Sequence, residues 1–133
     1  MTAASDLQPG SSPRVLLVEP SAAIASVLMR ALVQDGYAVA GVVGTGRDAL
    51  RALDGERPDA LLVEADLPDM PGEDVADRAA ARGLPAVLVT GSGALILAFE
   101  ASGRPHLRKP FALDDLLRVL ADALGGVRQH RTT

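Results

Sequence analysis

Apolar residues along this chain fall into short runs that alternate with stretches of helical spacing. "RVLLVE", residues 14–19, is a continuous apolar run of strand length bounded by proline on both sides. Ile24, Val27, Leu28, Ala31 and Leu32 then recur at the spacing of one helical face, with Ser21 as N-cap and Gly36 as stop. The alternation repeats. "YAVAGVV" predicts a strand and "RDALRAL" a helix ended by Gly55; "DALLVEA" predicts a strand and "GEDVADRAAAR" a helix ended by Gly83. "PAVLVT" predicts a strand, "ALILAFEA" a helix ended near Gly103, and "PHLRK" a short strand. The last helix places Leu113, Leu116, Leu117, Leu120 and Leu124 on one face, with Asp114 and Asp115 in the first turn, where the helix dipole favours anions.

Five strands alternating with five helices imply a parallel sheet covered on both faces. Right-handed crossovers then favour an α/β doubly wound open sheet. Residues 1–13, rich in Ser, Gly and Pro, are expected to form a disordered leader. Residues 14–124 are expected to form the domain, and 125–133 a flexible tail. No internal repeat or second domain is visible, so a free-standing domain is expected.

Composition narrows the function. The chain has 133 residues and no cysteine, which excludes disulfides and thiolate metal sites. A net charge of −4 argues against non-specific nucleic-acid binding; only "RQHR" near the end is locally basic. No apolar run has the length of a membrane span or the form of a signal peptide, so no membrane partner and a cytoplasmic location are expected. "GVVGTG", Gly41 to Gly46, matches neither dinucleotide nor P-loop spacing and is expected to be a strand-to-helix turn.

In open sheets of this kind, sites form beyond the carboxyl ends of the strands. Those ends carry Glu19, Glu64, Thr90 and Lys109 in turn, so two carboxylates, a hydroxyl and an ammonium converge on one rim. Asp66, two residues beyond Glu64, is expected on the same side if the chain stays extended, which would give three carboxylates and weak divalent-ion binding. Asp69, before Met70-Pro71-Gly72, reads as turn chemistry.

"RVLLVEP", "DALLVEADLPDMPG", "VLVTGSG" and "LRKPF" resemble the successive signatures of the response-regulator receiver domain, from about Arg14 to Leu124. The resemblance implies a flavodoxin-like (βα)5 fold with strand order 2-1-3-4-5, in a two-component or phosphorelay pathway. It implies a phosphoryl group passed from a histidine kinase to an aspartate, with Mg²⁺ held by acids at the first and third strand ends. It also implies a Thr or Ser and a Lys on the phosphoryl oxygens, a switching aromatic shortly before that Lys, and a Lys-Pro peptide that is commonly cis.

Set against that pattern, Glu19 matches the first of two adjacent acids, but the second is Pro20. The phosphoacceptor position holds Glu64 and the switch position His106, while Thr90 and Lys109 are unchanged. Pro20 offers no side-chain oxygen to Mg²⁺, which tolerates little departure from octahedral geometry at about 2.1 Å. Glu64 carries its carboxylate one methylene, roughly 1.5 Å, farther out than aspartate. Phosphoryl transfer depends on positioning and on metal neutralisation of charge, so a poor acceptor is expected. No cofactor is expected and Mg²⁺ binding, through Glu19 and Glu64, is at best weak. Glu64 remains open to three readings: a fixed partial mimic of the phosphorylated state against Lys109, a plain ion pair, or a residual acceptor. His106 is either a proton-sensitive switch or a half-buried polar residue.

The expected protein is a pseudo-receiver rather than an enzyme, with a small flavodoxin-like enzyme or nucleotide binder as the remote alternative. Its expected partner is a histidine kinase or a downstream target, met through the fourth helix, fifth strand and fifth helix, with a homodimer as a further arrangement. The apolar run "ALILAF" suits either a buried helix or such a contact. The Thr90-to-Lys109 spacing is a few residues shorter than is usual for receivers, so a truncated fourth helix is expected.

Overall fold

The computed structural model describes residues 12–55 and 57–132, with side chains up to residue 125. Five strands form one parallel sheet: β1 Arg14–Val18, β2 Ala38–Val43, β3 Ala60–Glu64, β4 Ala86–Thr90 and β5 His106–Arg108, in the order β2-β1-β3-β4-β5. Five helices connect and cover them: α1 Ala22–Gln34, α2 Gly46–Asp54, α3 Gly72–Ala81, α4 Gly93–Ser102 and α5 Leu113–Thr132.

The central strands read as unbroken apolar runs because both faces of the sheet are covered. Leu16, Val18, Leu61, Val63 and Leu88 face α2, α3 and α4, where Phe99 fills the layer. Val15, Leu17, Leu62 and Val87 face the other way, against Leu28 and Leu32 of α1 and Leu116 and Leu120 of α5. Each such side chain stabilises the fold by about 1.5–3 kcal/mol relative to exposure.

Local chemistry sets the helix ends. Ser21, Thr45 and Ser92 accept from the backbone N–H of Ile24, Asp48 and Leu95. Gly103 ends α4 in the left-handed conformation. The fourth helix, expected to be cut short, has ten residues, an ordinary length.

Two helix faces are narrower than their apolar spacing suggests. Ile24 and Val27 are 46% and 57% exposed, because the arc of α1 that meets the sheet is Ala25, Leu28 and Leu32. Leu113 is 42% exposed for a similar reason, as it opens α5 before the helix has settled on the sheet. α5 runs to Thr132, through the stretch expected to be a flexible tail. Gly125 lowers helix propensity, yet it takes no positive φ that would end the helix. The expected leader, residues 1–13, lies outside the described residues up to residue 11. Pro13 accepts from Ala38 N–H at 2.9 Å.

Candidate functional site

Four of the five strands, β1, β3, β4 and β5, deliver a polar residue to the rim at their carboxyl ends. Glu19 follows β1 and is buried, and its Oε2 accepts from the backbone N–H of Ser21 at 2.8 Å. Pro20 beside it is exposed. Thr90 closes β4 and is buried; its Oγ1 accepts from Ser92 N–H at 3.0 Å. Its carbonyl accepts from Lys109 N–H at 2.8 Å, which ties the end of β4 to the segment carrying the lysine.

Glu64 and Lys109 meet. The Lys109 ammonium donates to Glu64 Oε1, with the carboxylate side chain 12% exposed and the lysine side chain 36% exposed. The Lys109–Pro110 peptide is cis. A small apolar crevice lies beneath the pair, lined by Leu17, Leu28, Leu62, Val89 and Phe111, so the ion pair has water on one side and the core on the other.

His106 stands two residues farther from the rim than Arg108, the register partner of Thr90. Its Nδ1 lies 2.8 Å from the carbonyl of Arg104, and its ring meets Phe99 of α4 at a centroid distance of 5.9 Å. His106 is therefore packed against α4 rather than gathered into the charged cluster.

Asp66 does not join the pocket. The chain turns at Ala65, whose carbonyl accepts from Gly72 N–H at 2.8 Å, and strand alternation stops there. Asp66 is exposed and forms an isolated bridge with Pro71. The expected three-carboxylate cluster is thus not assembled: no group of three or more His, Cys, Asp or Glu suited to a metal ion exists among the described residues.

Mg²⁺ needs several oxygens at near-octahedral positions. Here one Glu19 oxygen is engaged by a backbone N–H, Pro20 has no side-chain oxygen, and one Glu64 oxygen holds an ammonium. The donor set does not fit the ion.

Sequence reading missed one contact that shapes the rim. Asp69 is not confined to its own turn: Oδ1 accepts from Gly46 N–H at 2.8 Å and Oδ2 from Arg47 N–H at 2.9 Å, across the gap to the N-terminus of α2. An anion there satisfies two orphan donors and complements the helix dipole. The Arg47 and Gly46 N–H groups hold the Asp69 carboxyl below its ordinary value of 3.8. Because the folded state favours the ionised form, this contribution is complete above that value and is lost as pH falls through the lowered one. Asp69→Asn is expected to lower the urea midpoint at neutral pH and to match the parent more closely in strong acid. Equal midpoints at neutral pH would show that the contact is idle. The only sequence signal was an acid before Met-Pro-Gly, which does not say which helix it caps.

A parallel sheet in the order 2-1-3-4-5, with its polar residues on the carboxyl rim, defines the flavodoxin-like architecture of CheY-like receivers. The sequence matches the response regulator receiver domain over residues 15–121, and the chain belongs to that family, the receiver of two-component signalling systems. It is 33% identical over 115 residues to the transcriptional regulatory protein TcrA of Mycobacterium tuberculosis, covering 83% of this chain and 45% of that protein. It is 29% identical over 120 residues to PdtaR of the same species, covering 87% and 58%. The chain therefore spans about half the length of these curated relatives. Among solved structures, the signal receiver domain of a modulated diguanylate cyclase from Desulfovibrio desulfuricans superposes with a TM-score of 0.79 at 31% identity, covering 90% of this chain and 98% of that one. The receiver domain of a sensor histidine kinase from Pseudomonas aeruginosa, with a magnesium ion in its active-site cleft, superposes with a TM-score of 0.74 at 28% identity, covering 86% and 98%. Receiver domains interact with histidine kinases and downstream effectors.

Proposed function

We propose that this receiver works by protein contact without phosphorylation, with Glu64 standing where a phosphoacceptor aspartate would. The observation that carries this reading is the contact of the Lys109 ammonium with Glu64. A carboxylate engaged in this way is a poor nucleophile, and its extra methylene displaces it from the position an aspartate would hold. With no fitting Mg²⁺ donor set and the Lys109 ammonium already held by Glu64, the charge of an incoming phosphoryl group is poorly neutralised. The pair joins the ends of β3 and β5, so the rim keeps one arrangement without a phosphodonor.

The output surface in this proposal is the face formed by α4, β5 and α5. Leu97 is 70% exposed there on a helix whose one charged residue is Glu100. The partner is a histidine kinase or downstream target in the cytoplasm. Among the described residues, no helix is long and apolar enough to cross a membrane.

Incubation with acetyl phosphate and Mg²⁺, followed by intact mass measurement, tests the proposal. No labile adduct is expected. A hydroxylamine-sensitive phosphoryl group on Glu64 would sink it in favour of a slow acceptor with Mg²⁺ between Glu19 and Glu64.

A further inference from the structure

The loop from β3 to α3, residues 65–71, is held to α2 by two neighbouring side chains. Asp69 takes the N–H groups of Gly46 and Arg47 at 2.8 and 2.9 Å. Met70 covers Gly46 itself. A Cβ at Gly46 would run into Met70 Cγ and Sδ and stand 2.9 Å from Cε, so the thioether fills the space that a side chain there would take. Gly46 is buried in consequence, although Arg47 beside it is exposed. Met70 is partly exposed, between the exposed Asp69 and Pro71, and it packs on the cluster that includes Ala49 of α2 and Val75 of α3.

Sulfur chemistry in this chain is left to thioethers. It has no cysteine, and of its three methionines Met1 lies outside the described residues and Met29 is 38% exposed on α1. A sulfoxide at Met29 is hydrated where it stands. Met70 differs, because its flexible, apolar and polarisable side chain fills a gap between two segments, and oxidation makes that filler polar.

We infer that Met70 is an oxidation site, at which hydrogen peroxide loosens the β3–α3 loop from α2. In the step, the sulfur lone pair attacks one peroxide oxygen and the O–O bond breaks. The departing hydroxide takes the proton from the transferred oxygen and leaves as water, so sulfur is oxidised by two electrons to the sulfoxide. The new oxygen needs a donor. Against Gly46 it meets a backbone N–H already given to Asp69, and an acceptor left unmet there is costly. The side chain therefore turns out to water, which its three rotatable bonds allow. Gly46 is then uncovered, and at this point the loop keeps only the two Asp69 hydrogen bonds. The loop leaves β3 directly after Glu64, so the loosened segment is the one that continues from the rim carboxylate. The inference goes beyond the proposed function and does not depend on whether Glu64 accepts a phosphoryl group.

Graded hydrogen peroxide, followed by peptide mass mapping and amide exchange, tests it on Met29→Leu, which removes the competing thioether of α1. Gain of one oxygen, about 16 Da, is expected at Met70 of the folded protein. The Gly46 and Arg47 N–H groups are expected to exchange at least about tenfold faster in the sulfoxide, while those of Leu61 and Leu88, bonded at 3.0 Å within the sheet, keep their protection. The two methionine sulfoxide reductases, one for each epimer, are expected to restore the starting rates. Met70→Leu keeps the bulk without the sulfur, and peroxide is expected to leave its exchange unchanged. Oxidation of Met70 only after unfolding in urea would overturn the inference, as would a Met70 sulfoxide with unaltered exchange at Gly46 and Arg47. Equal acceleration by peroxide in Met70→Leu would place the cause elsewhere, and loss of protection at Leu61 and Leu88 would mean general unfolding; either result would also overturn it.

Discussion

With Pro20→Asp and Glu64→Asp installed together, the protein is expected to take a phosphoryl group from acetyl phosphate in the presence of Mg²⁺, where the parent gives no labile adduct. Pro20 is exposed at the rim, so an aspartate there adds a ligand oxygen without disturbing the core. Shortening Glu64 draws the nucleophile back by roughly 1.5 Å and frees it from its hold on Lys109. In the reaction, one carboxylate oxygen would bond to phosphorus as the phosphorus–oxygen bond to the acetyl group breaks and acetate leaves, and a Mg²⁺ held by the added carboxylate and Glu19 would supply charge neutralisation. Lys109 and Thr90 remain, one ammonium and one hydroxyl beside the pocket. Recovery of about two orders of magnitude in rate is the scale that corrected positioning and a metal supply. Glu64→Asp alone is expected to recover much less, since Pro20 still withholds its ligand. Intact mass with and without chelator reads the outcome. A double variant that folds like the parent yet forms no adduct would mean that Thr90 and Lys109 are not arranged for transfer.

Gly72→Ala is expected to cost about 3 kcal/mol or more, at or beyond the upper end of ordinary overpacking. A Cβ there would lie 2.3 Å from the carbonyl oxygen of Glu64 and 2.9 Å from the Cα of Ala65. Both are backbone atoms of the rim, so no rotamer change relieves the clash. Either α3 moves away, losing the Gly72 N–H bond to Ala65 and the packing of Val75 and Ala76, or β3 bends at the residue that bears the carboxylate. Against a typical stability of about 5–15 kcal/mol, this is a large fraction. Urea unfolding measures it, with Gly93→Ala as control: no heavy atom stands within 4 Å of a Cβ at Gly93, and its φ is not positive. Equal midpoints for Gly72→Ala and the parent would contradict the close approach. Gly46 is a milder case, because the atoms in the way belong to the flexible side chain of Met70.

Much of the rim was legible before any coordinates. Strand ends are marked by where an apolar run stops, and the carboxyl ends of parallel strands share one side, so Glu19, Glu64, Thr90 and Lys109 had to approach one another. That Glu64 would lie within reach of Lys109 followed from their places on strands that both border β4. Orientation was not legible. Glu19 turns back to Ser21 N–H, Asp66 leaves the pocket at a bend, and Asp69 reaches a helix that begins 23 residues earlier. Each depends on where a loop runs in space, which spacing along the chain does not encode.

The sequence by itself determined the alternation of elements, the cap at Ser21, the two-sided burial of the strands and the identities of the four rim residues. These follow from local propensity and hydrophobic period, which act over a few residues. Tertiary structure alone decided which arc of α1 is buried and which of several nearby donors each carboxylate takes. Those outcomes rest on contacts between segments far apart in the chain, where packing and hydrogen-bond geometry select among partners that local sequence leaves equivalent.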